Sequence, residues 1–83
     1  MDRCLITFRS VTPAQRGEGM LRREGIFCTL QRTPRALAEK GCGYSLLVSG
    51  QSLAKAVELL RQRGINYGKT YRLREGNPEE VVL

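Results

Sequence analysis

Leu60-Arg61-Gln62-Arg63-Gly64-Ile65 repeats the pattern of Leu21-Arg22-Arg23-Glu24-Gly25-Ile26. In each copy the basic residues fall in the last turn of a helix, where cations complement the carbonyl end of the dipole. Glycine then supplies a left-handed C-cap, and the isoleucine after it packs back on the helix. Working backwards from the second copy, Leu53, Ala56, Val57 and Leu60 lie at i, i+3, i+4 and i+7, an apolar stripe. Lys55, Glu58, Arg61 and Gln62 take the opposite side, which reads as a solvated face. The helix before the first copy is expected over 13–24, with Thr12 and Gln15 as a capping box and Pro13 at the first helical position. Ala14, Gly17, Met20 and Leu21 would form its packed face, Gly17 permitting close approach to a sheet. Gly17-Glu18-Gly19 lacks the further glycine and the Lys-Ser/Thr of a phosphate loop.

Four β-type runs surround these helices, at 4–9, 26–31, 44–48 and 70–74. The order β-α-β-β-α-β predicts an α+β, ferredoxin-like fold: a four-stranded antiparallel sheet with two helices on one face and the other face open. Ile6, Phe8, Ile26, Cys28 and Leu30 have the spacing to face the helices, and Cys4 begins the first strand. Leu5, Phe27 and Leu47 would form an apolar patch on the open face, suited to a homodimer or a docking surface. A single domain is expected over 1–75. Gly76-Asn77-Pro78-Glu79-Glu80 should end the last strand and leave 76–83 as a tail, its Val81-Val82-Leu83 apolar enough to dock on a neighbour.

Eighty-three residues bury a modest core and leave little room for a deep substrate cavity. Fourteen Lys plus Arg against eight Asp plus Glu give a formal charge of +6, which favours acidic partners. There is no histidine, no metal-ligand spacing and no pair of acids set for acid–base work, so no cofactor or metal is expected, and a carrier or binding protein is favoured over an enzyme. Cys4, Cys28 and Cys42 are an odd number at wide spacings, neither a disulfide framework nor a C-x-x-C pair, which points to a reducing cytoplasm. The amino terminus has no secretory pattern and no apolar run is long enough to span a bilayer, so no membrane association is expected.

The chemistry concentrates between the second and third β-type runs. Thr33-Pro34-Arg35 is followed by Lys40-Gly41-Cys42-Gly43-Tyr44, a thiol between two glycines and near two cations. Lys40 and Arg35 could lower the thiol pKa, while Gly41 and Gly43 leave the approach uncluttered and offer backbone N–H groups to an anion. The bland alternative is a buried Cys42 with the glycines serving only as a turn. A third reading overlays Lys40-Gly41-Cys42-Gly43-Tyr44-Ser45-Leu46-Leu47 on the first motif of RNA-recognition modules, which stack bases on aromatic rings. Cys42 and Leu47 stand where that motif has rings and only Tyr44 is retained, so nucleic acid ranks behind a thiol function.

Leu5-Ile6-Thr7-Phe8-Arg9-Ser10, Gly25-Ile26 leading into a strand, Thr33-Pro34-Arg35, Cys42-Gly43, and Leu60 through Gly64-Ile65 together resemble a small bacterial family of selenium/sulfur carrier-like proteins. Ala38-Glu39-Lys40-Gly41 stands here where that family has a serine-rich turn before its C-G pair. The resemblance implies that Cys42 is the carrier thiol, accepting sulfur or selenium as a persulfide or perselenide, and that Pro34 and Arg35 shape the loop before it. By the same implication the partners are a cysteine desulfurase-type donor and a sulfur or selenium acceptor protein. Cys28 is then either a small core residue or a thiol able to resolve a loaded Cys42 as a disulfide.

Overall fold

The run Arg3-Cys4-Leu5-Ile6-Thr7-Phe8 forms the central strand β1 (Arg3–Phe8), and its last five residues are all buried. Successive side chains of a strand point to opposite faces, so five buried in a row mean that both faces of the sheet are covered at its centre. The computed structural model describes residues 2–37, 43–74 and 77–82. After β1 come α1 (Val11–Arg23), β2 (Thr29–Arg32), a 3-10 turn (Arg35–Leu37), β3 (Tyr44–Ser49), α2 (Leu53–Gln62), β4 (Thr70–Arg74) and β5 (Asn77–Val81). Among the described residues the strands make one antiparallel sheet in the order β2-β3-β1-β4-β5. The sheet therefore has five strands, not the expected four, because Asn77–Val81 pairs with β4.

One face carries both helices. Cys4, Ile6 and Phe8 of β1 and Leu46 and Val48 of β3 pack against Ala14, Met20 and Leu21 of α1 and against Leu53, Ala56, Val57 and Leu60 of α2. Gly17 is where α1 comes nearest: a Cβ there would lie 3.1 Å from Leu60 Cδ2 and 3.3 Å from Leu46 Cδ1. Both helices end as the repeated hexamers require. Gly25 and Gly64 have φ of 81° and 68°, and Ile26 and Ile65 each donate N–H back to Leu21 O and Leu60 O at 2.9 Å. This is the six-to-one bond of a Schellman cap.

That cap also explains a shorter β2. Ile26 spends its N–H on the helix end, so the strand begins at Thr29 rather than at residue 26. The start of α1 differs too: Ser10 is the N-cap and makes no side-chain cap bond, so Thr12 and Gln15 form no capping box and Pro13 sits inside the first turn, where a missing N–H is harmless.

The opposite face is not open throughout. The 3-10 turn lays Leu37 across it, and Leu37 joins Leu5 and Tyr71 in a second small core, flanked by Leu47 and Leu73. Phe27 remains outside this cluster and 74% exposed.

β2 is an edge strand, yet side chains of α1 bond one of its outer backbone groups and one just before it. Glu18 Oε2 accepts from Leu30 N–H at 3.3 Å, Arg22 Nη2 donates to Cys28 O at 3.0 Å, and the two side chains are ion-paired at 3.4 Å.

Candidate functional site

The connection between β2 and β3 begins with the Thr33-Pro34-Arg35 element, and each of its residues has a separate task. Thr33 closes the base of the connection twice: its N–H donates to Gly43 O at 3.1 Å, and its hydroxyl meets the Ser45 hydroxyl at 2.7 Å in a buried pair. Pro34 opens the 3-10 turn, its fixed φ suiting that position and its carbonyl accepting Leu37 N–H at 2.8 Å. Leu37 is then pinned in the second core. Arg35 is exposed at the start of the turn. The chain is thus fastened at Leu37 and again at Gly43.

Cys42, Lys40 and Gly41 lie outside the described residues. Gly43, the covalent neighbour of Cys42, is exposed, and a Cβ built on it would meet nothing within 4 Å. Packing among the described residues does not demand glycine at position 43.

Tyr44 shares strand parity with Leu46 and Val48 and packs against the helix-side core, with the Arg32 guanidinium 5.7 Å from its ring centroid. The ring therefore stands on the helix side of the sheet, not among Leu5, Leu47 and Tyr71 on the opposite face.

Cys4 and Cys28 are both buried in the helix-side core. Burial pushes the Cys28 thiol above its ordinary value of 9.0, with Arg22 opposing and Glu18 reinforcing the shift. The thiol donates weakly to Glu18 O at 3.7 Å. Burial likewise raises Cys4, with the hydrogen bond and charge of Arg72 pulling the other way. A thiol held neutral and out of solvent is a poor nucleophile.

The Thr33–Ser45 pair and the Leu37 anchor were not legible in sequence, because each depends on a cross-sheet neighbour. The available signal was two hydroxyl residues flanking the connection and one leucine between alanines. Among the described residues no group of His, Cys, Asp and Glu is placed to hold a metal ion, and no helix is long and apolar enough to cross a membrane.

No curated protein and no solved structure matches the chain significantly. A family model does, over residues 3–72, from the first residue of β1 into β4 and through the whole of the fastened connection. The chain belongs to the family described as "Putative Se/S carrier protein-like".

Proposed function

We propose that this protein is a thiol-based carrier of sulfur or selenium, with Cys42 as the working atom. What supports the reading is the contrast between the cysteines: Cys4 and Cys28 are sequestered with raised thiol pKa values, while Cys42 adjoins Gly43, which is exposed and has no described neighbour within 4 Å of its Cβ position. In the transfer, the Cys42 thiolate attacks the terminal sulfur of a donor persulfide. A new S–S bond forms, the donor S–S bond breaks, and the donor cysteine leaves as its thiolate, so no external oxidant or reductant is consumed. Delivery to an acceptor thiol reverses the same exchange; with selenium the terminal atom is Se. Arg35 and Lys40 would favour the thiolate, and Gly41 and Gly43 would admit the bulk of the donor.

The donor is of cysteine desulfurase type and the setting a reducing cytoplasm. The fold is read as a single ferredoxin-like domain widened by β5, and Cys28 is assigned to the core rather than to a resolving role. The RNA-module alternative is the weaker one, because a stacking platform needs a free ring face and Tyr44 is packed on the helix side with Arg32 over it.

The test is alkylation of the folded protein across pH, with each cysteine read separately by mass spectrometry, followed by persulfide transfer from a desulfurase. Cys42 should label near neutral pH while Cys4 and Cys28 stay protected, and Cys42→Ser should hold no sulfane sulfur. Protection of Cys42 until the protein unfolds would sink the carrier reading.

A further inference from the structure

The helix layer carries a second feature that the thiol chemistry does not use. Arg16, Arg23 and Arg63 line an open cleft of about 600 Å³ between α1 and the segment after α2, together with Gln15, Gly19, Met20 and Ile65. Arg16 and Arg23 are seven residues apart in α1 and so fall on one stripe of the helix. Gly19 lies between them with nothing within 4 Å of its Cβ position, which leaves a saddle between the two guanidinium groups. Arg63 reaches in from the end of α2 and is bonded at 3.4 Å to Glu24, which is not among the lining residues. No ion pair among the described residues neutralises Arg16 or Arg23. Three arginines therefore line the cleft, and none of its lining residues is acidic.

We propose that this cleft is a docking site for an acidic segment of a partner protein. Guanidinium forks pair bidentately with carboxylates, which gives geometry as well as charge. The partly apolar lining from Met20 and Ile65 offers a place for an aliphatic side chain between two acids. Nucleic acid fits less well, because none of the lining residues is aromatic and could stack on a base. The helices lie on the side of the sheet opposite Leu37, so a partner held here leaves the face that carries Leu37 uncovered. The site does not depend on Cys42 carrying anything.

A labelled peptide of repeated Glu-Glu-Leu, titrated by fluorescence anisotropy and by amide chemical shifts, tests the proposal. Binding should weaken with salt, shift the Gly19 and Ile65 amides, and fall by about tenfold or more in Arg16→Gln/Arg23→Gln, which keeps two exposed polar side chains and an unchanged spectrum elsewhere. Lys55→Gln, on the polar face of α2, should leave it unchanged. Absence of peptide binding, or equal binding by the double variant, would overturn the site. Tighter binding of a single-stranded RNA of matched charge through the same arginines would overturn the partner class.

Discussion

Gly17 and Gly19 stand two positions apart in α1 and have opposite consequences. Each lowers helix propensity by roughly 1 kcal/mol against alanine. At Gly19 the space above the backbone is empty, so Gly19→Ala should recover most of that amount and raise the melting temperature. At Gly17 a methyl group would press on Leu60 and Leu46, both fully buried, and would meet Phe8 Cζ at an ordinary contact distance of 3.5 Å. Overpacking a filled core costs about 1 to 3 kcal/mol, which exceeds the propensity gain, so Gly17→Ala should be destabilising and Gly17→Val more so. Thermal melts of the two alanine variants decide this, and a stabilised Gly17→Ala would mean that Leu60 can repack. The close approach at Gly17 was legible from its place on the packed stripe of the helix. The open saddle at Gly19 was not, because it depends on what crosses that side of the helix.

Among the elements, those with a repeated internal period were read nearly to the residue and those held by a partner were not. The stripe Leu53, Ala56, Val57 and Leu60 is the buried face of α2, and β4 spans Thr70–Arg74 as its β-rich composition predicts. β5 escaped because an exposed edge strand needs no alternation: four of its five residues are exposed, and Pro78, Glu79 and Glu80 all read as strand breakers. The site divides the same way. Cys42 and its glycines are a local pattern, whereas Thr33 acts through Ser45, twelve residues on and reached only by the register of β2 on β3. Thr33→Val keeps the shape of that element but strands the Ser45 hydroxyl, which has no exposure, and leaving a buried hydroxyl unpaired costs about 1 to 3 kcal/mol. Denaturant unfolding should show that loss, and adding Ser45→Ala should restore a good part of it by removing the orphaned group. Full additivity of the two substitutions would mean that the hydroxyl pair is not what closes the base of the connection.

On the scale of the whole molecule, the two edges of the sheet are guarded by different chemistry. An unprotected edge offers rows of N–H and C=O groups to any second chain, and proteins block such edges with proline, charge or a covering side chain. β5 carries Pro78, which has no N–H to offer, and the charges of Glu79 and Glu80. β2 has no such residues outside Arg32, and relies on the Glu18–Arg22 pair of α1 to occupy Leu30 N–H and Cys28 O. With Leu37 covering the centre of the remaining sheet face, the protein is expected to be a monomer in solution, and light scattering across a concentration series checks this. The double variant Glu18→Ala/Arg22→Ala removes one charge of each sign, so the net charge of +6 and its long-range repulsion are unchanged while the β2 edge is bared. It should associate with rising concentration and expose the Leu30 amide to faster hydrogen exchange at low concentration. A double variant that stays monomeric with Leu30 still protected would show that the length and twist of β2, not the ion pair, keep the sheet from extending.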